Sequence, residues 1–372
     1  MSLLHFITAI PLEVTRGSGC YVGTRTLVDA VRQLGTDVAM VTPRVLTPVY
    51  TATRVLFNET LRWRKFGGEA GDATVGIDAD GYSIAGRQRR PLPHVACIKG
   101  VLGDAVRFER GATRASMAFQ SWLEAKHARR ADLVITISEY CAARLQELYG
   151  VSNAVVVPEL IDLNGWRELF SANPAAPDPR KFTVLSVCRF YPRKRMEVLL
   201  RAAALLRDRI PQLEIRIVGN GPEHAKLRQI YLDLALGSTV QWLGDASMGT
   251  LAAEYNRADL FCLPSVQEGF GIVFLEAMAA GQPIVAARAA AVPEVVSDGL
   301  LVEPENPEAL AEAILRLYRD PDLRHSLGSS GLRSVEKFDM LRVAGQFLRE
   351  IAKVAPGIKA MGLCGAAEQA LR

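Results

Sequence analysis

The sequence predicts an α/β protein built from two doubly wound parallel sheets. Three observations carry this reading. Short apolar runs alternate with helix-spaced segments in both halves of the chain. Glycine- and proline-containing turns separate them. One stretch without periodicity, around residues 162–180, divides the halves. At 372 residues the chain has room for two domains of ordinary size. Apolar residues make up 49% and charged residues 23%, the balance of a soluble globular protein.

Leu3–Ala9 reads as the first strand. Residues 1–10 are apolar but short and lack a basic leader, so a secretory signal is not expected. Thr24–Gln33 reads as the following helix. Between them lies Arg16-Gly17-Ser18-Gly19-Cys20-Tyr21-Val22-Gly23, a glycine-rich strand-to-helix turn suited to approaching phosphate. Its spacing departs from the dinucleotide fingerprint, and no acidic partner follows at the required distance. Asp37–Thr42 is a second strand. Residues 53–90 are less regular and hold two basic clusters, Arg62-Trp63-Arg64-Lys65-Phe66 and Arg87-Gln88-Arg89-Arg90. Cations interleaved with aromatics suit a membrane surface or an acidic acceptor, and also suit a solvated loop.

His94–Ile98 is a strand leading into Lys99-Gly100. Helices follow over residues 105–130, broken near Gly111. Asp132–Ser138 is a strand, Glu139–Tyr149 a helix closed by Gly150, and Val155–Val157 a last strand before Pro158. This makes residues 1–160 the first domain. Residues 161–181 read as a linker, because Asn173-Pro-Ala-Ala-Pro177-Asp-Pro179 cannot hold regular structure. Residues 182–338 then alternate strand and helix clearly: Phe182–Ser186, Met196–Arg209, Glu214–Val218, Glu223–Leu236, Val240–Leu243 and Met248–Arg257. A strand over 259–263, another at Ile284–Ala287 and a helix over Asn306–Tyr318 complete the pattern. Further helices run to about Lys353, and the Gly/Ala-rich tail, 356–372, is expected to be mobile.

The second half centres on Pro264-Ser265-Val266-Gln267-Glu268-Gly269-Phe270-Gly271-Ile272 and the helix that follows to Gly281. An apolar strand precedes it, so Glu268 and Gly269 fall in a strand-to-helix crevice, where open α/β sheets bind ligands. Gly269 and Gly271 allow close backbone approach, and the helix N-terminus offers unpaired N–H groups to an anion. Glu276 shares a helix face with Ile272, Val273, Ala279 and Ala280. A carboxylate there needs donors, and a ribose diol supplies two hydroxyls.

Two glutamates eight positions apart, with Gly-Phe-Gly after the first, resemble the Glu-x7-Glu signature of retaining glycosyltransferases of the GT-B fold, in the large family-four group. The resemblance implies two facing Rossmann-like domains with an interdomain cleft, the first binding acceptor and the second nucleotide-sugar. It implies that a C-terminal helix near 339–355 crosses back to the first domain. It assigns Glu268 to hydroxyls of the donor sugar, the Gly269-Phe270-Gly271 backbone to the distal phosphate and Glu276 to the ribose. In Ser186-Val187-Cys188-Arg189-Phe190-Tyr191-Pro192-Arg193-Lys194-Arg195, Arg189 and Lys194 match the family's diphosphate clamp, while Arg193 and Arg195 fall outside it. Gly219 resembles the floor under the nucleotide, and Gly244 and Ala246 the segment whose backbone contacts the base. Gly17 and Gly19 match a loop that reaches the donor phosphate and the acceptor. Lys99 stands where many relatives carry a histidine, a departure from the pattern. A lysine there steadies charge but is a poor base at its ordinary pKa near 10. Arg107 and Glu109 are candidates for the acceptor side.

The expected function is retaining, metal-independent transfer of a sugar from a nucleotide-sugar to an acceptor hydroxyl, with fixed cations at the leaving diphosphate. A nucleotide-sugar epimerase and a non-catalytic partner subunit are the alternatives; few histidines argue against the first, and the intact motif against the second. Six scattered cysteines and five dispersed histidines show no metal or disulfide spacing. A net charge of +4 suits small anions better than nucleic acid. The expected location is cytoplasmic; a solvated loop is the favoured reading of the two basic clusters, and peripheral contact through Arg62–Phe66 at the inner face of the membrane is the alternative.

Overall fold

The computed structural model describes residues 3–9, 19–67, 71–87 and 90–358. The tail expected to be mobile lies outside the described residues from position 359 on, and so does Gly17. The chain forms two compact units. Unit 1 comprises Met1–Leu160 with Phe338–Arg372, and unit 2 comprises Ile161–Lys337.

Unit 1 holds a parallel sheet of β1 (Leu3–Ile7), β2 (Asp37–Val41), β3 (Ala73–Ile77), β4 (His94–Ile98), β5 (Leu133–Thr136) and β6 (Val155–Val156), in the order β2-β1-β3-β4-β5-β6. Central strands of such a sheet are covered on both faces, and every residue of β3, β4 and β5 is buried. The helix Gly19–Gln33 returns along one face. Beside it packs the C-terminal helix Met340–Ala352, which contributes Val343, Ala344, Phe347, Leu348 and Ile351 to the core of this unit. Its Phe347 ring lies 6.1 Å from Phe6 of β1.

β3 and the helix Tyr50–Leu61 occupy the stretch whose periodicity is weak. The strand Ala-Thr-Val-Gly-Ile carries a glycine where a core strand ordinarily places a bulky residue. Gly76 makes room for the ring of His127, whose Nε2 would lie 2.8 Å from an added Cβ. The helix is masked in sequence because its buried residues include Thr53, Arg54 and Asn58.

Unit 2 holds β7 (Phe182–Val187), β8 (Leu213–Val218), β9 (Val240–Gly244), β10 (Leu260–Leu263), β11 (Ile284–Ala287) and β12 (Leu300–Val302). All neighbours are parallel, in the order β12-β11-β10-β7-β8-β9. The chain starts at β7, works outward to β9, and then crosses to β10 on the other side. The carboxyl ends of β7 and β10 therefore flank the point where strand order reverses, the place where doubly wound sheets leave a crevice.

The supposed linker is corrected here. Leu163–Ala172 is a helix of unit 2, capped where Asp162 accepts a hydrogen bond of 2.9 Å from Gly165 N–H. Trp166 is buried and meets Tyr255 edge-on at 5.8 Å. Only the proline-rich residues after it lack regular structure until β7. Among the described residues no helix is long and apolar enough to cross a membrane.

Candidate active site

Three loops meet at the carboxyl edge of the unit 2 sheet. The chain leaving β7 is stitched to the end of β8, where Cys188 N–H donates to Val218 O (3.1 Å) and Phe190 N–H to Asn220 O (3.0 Å). Gly219 N–H donates to Gly244 O of β9 at 2.7 Å. Gly219 has φ +120°, and a Cβ there would overlap the Cys188 carbonyl oxygen. At Gly221 an added Cβ would lie 2.5 Å from Phe190 N. The role of the Gly-Asn-Gly turn is backbone-to-backbone packing of strand ends, which only residues without side chains permit. Gly244, by contrast, has open space where its Cβ would be, with Ala246 half-buried beyond it.

The β7 loop also ties to the β10 loop, through Val266 N–H donating to Arg193 O at 2.9 Å. This places Lys194 against Glu268. The two form an ion pair in which both side chains are largely withdrawn from solvent. Burial raises the Glu268 carboxyl, but Lys194 and then Arg193 outweigh it and hold the group below its ordinary range. Glu268 is thus an anion held by Lys194, with the charge of Arg193 acting on it through space. An ammonium has three donors, so Lys194 keeps others for a second anionic partner.

Arg189 stands apart from this pair and meets the exposed Asp245 at 3.3 Å, a surface contact worth little in water. Arg195 turns through φ +48° and pairs with Glu305 at 2.6 Å. Arg193, set aside on spacing, lies near enough to act on Glu268 and packs its guanidinium 4.7 Å over the Tyr191 ring. The spacing argument separates Arg193 from the site; the structure does not.

Gly269 and Phe270 lead to Gly271, whose φ of +92° opens the helix Ile272–Ala279. An added Cβ at Gly271 would lie 2.6 Å from the Phe274 ring. No side chain caps this helix; Phe274 N–H donates to Gly271 O at 2.9 Å, and Ile272 and Val273 open the helix at the switch point, where a helix N-terminus favours an anion. One turn on, Glu276 is buried and accepts a hydrogen bond of 2.9 Å from the Tyr255 hydroxyl. Burial pushes the Glu276 carboxyl up to about 7, with the Tyr255 bond opposing. Tyr255 was invisible to sequence reasoning, since nothing in the helix Met248–Arg257 distinguishes it from a core aromatic.

In unit 1, Gly19 is the first residue of the helix Gly19–Gln33. Lys99 follows β4 directly and its ammonium is buried against Glu159 at 2.8 Å, each side chain almost fully enclosed. Lys99 N–H donates to Asp78 Oδ1 at 2.8 Å. Near it, Asp80 pairs with buried Arg54 at 3.0 Å and accepts from Ala9 N–H at 2.7 Å. The carboxyl edge of this sheet is therefore a charged, mutually satisfied layer. Asp78-Ala79-Asp80, directly after an apolar strand, is the signal that sequence reasoning passed over. Arg107 pairs with buried Asp104 at 2.7 Å, and Glu109 ends the short turn after it. Among the described residues no group of three or more His, Cys, Asp or Glu side chains is placed to hold a metal ion.

Comparison with known proteins follows the same division. The family model for glycosyl transferases group 1 matches residues 170–333, and that for glycosyltransferase family 4 matches residues 78–164. The chain is 31% identical over 225 residues to the GDP-mannose-dependent alpha-(1-6)-phosphatidylinositol monomannoside mannosyltransferase of Mycolicibacterium smegmatis. That match covers 54% of this chain and 56% of the relative, little more than half of its length. The fold matches sucrose-phosphate synthase from Thermosynechococcus elongatus with a TM-score of 0.76 at 22% identity, over 95% of this chain and 99% of the other. It also matches Anabaena HepE in complex with UDP and glucose, TM-score 0.70 at 20% identity, over 95% and 100% of the two chains. With a glycosyltransferase family model on each unit and GT-B structures as its neighbours, the chain belongs to the family-four glycosyltransferases of the GT-B fold.

Proposed function

We propose that the protein transfers a sugar from a nucleotide-sugar to an acceptor hydroxyl, with retention at the anomeric carbon and without a metal. The observation that carries the reading is the Lys194–Glu268 pair at the strand-order reversal, one loop from an uncapped helix N-terminus. A diphosphate at that position meets the ammonium of Lys194 and the N–H groups after Gly271. Arg189 and Arg193 supply further positive charge. As the sugar bond breaks, negative charge grows on the leaving diphosphate, and cations already in place stabilise it without reorganising. Glu268, held ionised, is an acceptor for sugar hydroxyls. Glu276 is an acceptor for the ribose. The mannosyltransferase relative is named for GDP-mannose and HepE was solved with UDP, so either base is compatible with backbone contact at Gly244 and Ala246.

Incubation with a mixture of UDP-, GDP- and ADP-sugars, each labelled in the sugar, tests the reaction class. The expected result is a labelled product with an acceptor and release of one nucleoside diphosphate. A labelled epimer of the donor, or no turnover of any donor, would contradict it. Repeated in excess chelator, the rate is expected to be unchanged. A loss restored by added magnesium or manganese would remove metal independence while leaving transfer intact.

The Glu276 carboxyl gives the reading a pH signature. Its folded pKa, about 7, lies above the ordinary carboxylate range. The folded chain therefore holds a proton that the unfolded chain has released, and this group's contribution to stability is lost as pH rises through about 7. Donor binding runs the opposite way, because ribose hydroxyls donate to the carboxylate. Calorimetric donor affinity is expected to rise between pH 6 and 8, about the window of that titration, and to become weak and flat in Glu276→Gln. Tyr255→Phe removes a bond that favours the carboxylate, so the midpoint moves to higher pH. Parent-like affinity in Glu276→Gln across the range would sink the ribose assignment.

A further inference from the structure

Two histidines are sealed in the core of unit 1. His94 opens β4, and His127 lies near the end of the helix Gly111–Ala128; both are fully buried. Their Nε2 atoms are 2.8 Å apart. His94 Nδ1 is 2.8 Å from the Thr74 hydroxyl, and His127 Nδ1 is 2.5 Å from the Asp78 carbonyl oxygen. Gly76 and Gly81 leave the space: an added Cβ at Gly81 would lie 2.9 Å from His94 Cε1. The two rings therefore form a hydrogen-bonded line along β3, from Thr74 near its start to Asp78 just beyond its end.

The ends of this line fix its protons. A backbone carbonyl only accepts, so His127 Nδ1 carries hydrogen. In a neutral His127 Nε2 is then bare, and His94 Nε2–H donates to it. His94 Nδ1 in turn accepts from the Thr74 hydroxyl, which lies farther, at 3.2 Å, from the Pro93 carbonyl. Burial keeps both rings neutral, lowering His127 to about 4 and His94 well below its ordinary range. The surrounding charges do not reverse this. Arg54 and Arg90 oppose a further cation, and they pair with Asp80 and Asp132 respectively. Burial pushes the Glu124 carboxyl, three residues before His127, up to about 8, so it supplies no counter-charge at neutral pH. Asp78 itself has φ +52°, the left-handed region that a non-glycine residue holds only when its surroundings compensate. His127 grips its carbonyl oxygen, and its Oδ1 accepts from Lys99 N–H at 2.8 Å.

We propose that Asp78 is a positioning residue for sugar transfer: the His94–His127 line holds its turn, and its carboxylate fixes the chain at Lys99, where β4 ends. This rests on the reading that the carboxyl edge of unit 1 takes part in the reaction. Lys99 carries the restraint onward through its ion pair with Glu159, whose Oε2 would lie 2.3 Å from a Cβ added at Gly23 of the helix Gly19–Gln33. The line moves no proton during the reaction. It sets backbone, and a displacement of about 1 Å at such an edge costs on the order of a hundredfold in rate.

Nitrogen-15 NMR of the full chain, labelled at histidine, reads the line directly, with His127→Asn and His94→Gln assigning the two rings. The expected spectrum has His127 neutral with hydrogen on Nδ1 and His94 neutral with hydrogen on Nε2, both unchanged from about pH 8 to about pH 5.5. An imidazolium at either position at neutral pH, or the reverse tautomers, would overturn the proposal. Kinetics supply the functional arm. Asp78→Gly keeps the left-handed turn and loses the carboxylate. It is expected to lower kcat at least about tenfold, with donor affinity by calorimetry within about twofold of the parent's. Asp78→Asn tolerates the same turn and retains an acceptor oxygen, so it should recover most of the rate. His127→Asn, whose side-chain N–H replaces Nδ1–H at the Asp78 carbonyl, should likewise turn over faster than His127→Leu. Parent-like kcat in Asp78→Gly, or an asparagine at 127 no better than leucine, would overturn the proposal. Were the parent to turn over no donor, the reaction class would fall instead, and exchange of the Lys99 amide would still read Asp78. That exchange is expected to quicken at least about tenfold in Asp78→Gly; an unchanged rate would overturn the positioning role on its own.

Discussion

Lys194→Ala is expected to lose roughly a hundredfold or more in turnover, the scale seen when one preorganised donor to a developing charge is removed. The ammonium stabilises charge that grows as the sugar bond breaks, so turnover should fall more than donor affinity. The structure adds a second consequence. Lys194 is the direct partner of a buried carboxylate, and removing one member of such a pair costs about 3–5 kcal/mol because the other is left uncompensated. Arg193 bears on Glu268 as well, which softens that loss. Denaturant unfolding of Lys194→Ala and of Lys194→Met with Glu268→Gln separates the two effects. The double variant should recover stability without recovering turnover. Arg195→Ala is the clean control, since Arg195 pairs with Glu305. Arg193→Ala should fall between. A Lys194→Ala protein that folds and turns over like the parent would end the assignment.

Gly219→Ala should be the most damaging single methyl in unit 2. The residue sits at φ +120°, and the new Cβ meets backbone, the Cys188 carbonyl, which cannot swing aside as a side chain would. Left-handed strain and the forced separation of two strand ends should together remove at least ~3 kcal/mol. The same separation moves the chain that runs from Cys188 to Lys194, so activity should drop even where the fold survives. Gly244→Ala, with open space around it, is the matched comparison: it carries the cost of positive φ without the collision. Equal unfolding midpoints for the two variants would contradict the packing role of Gly219.

Much of unit 2 is legible in its sequence because burial there obeys apolar periodicity. β10, β11 and the helix Met248–Arg257 coincide with apolar runs, and Glu268 to Glu276 announce themselves by glycine and spacing. Unit 1 is harder to read because its carboxyl edge buries charge. Arg54, Asn58 and Asp80 occupy core positions through mutual hydrogen bonds and an ion pair, and Glu124 through bonds accepted from the Tyr149 hydroxyl and Leu102 N–H, which a hydrophobic pattern cannot register. Leu163–Ala172 was missed for a related reason. Its Trp166 is the anchor that holds it, but the prolines downstream dominate the composition of the segment. Lys99 is placed correctly at the end of β4, yet its environment, a closed pair with Glu159, depends on a partner sixty residues away. Arg193 shows the limit of motif spacing: charge acts through space, and the loop brings the residue back toward Glu268.

The central claim is that a nucleoside diphosphate binds at the strand-order reversal of unit 2, between the loop carrying Lys194 and the N-terminus of the helix Ile272–Ala279. Amide hydrogen exchange with and without saturating UDP or GDP tests it directly. The expected result with one of the two nucleotides is slowed exchange confined to residues 193–195 and 269–274, and its disappearance in Lys194→Ala. Binding of the nucleotide with no change in those amides, or with protection elsewhere in the chain, would contradict the account.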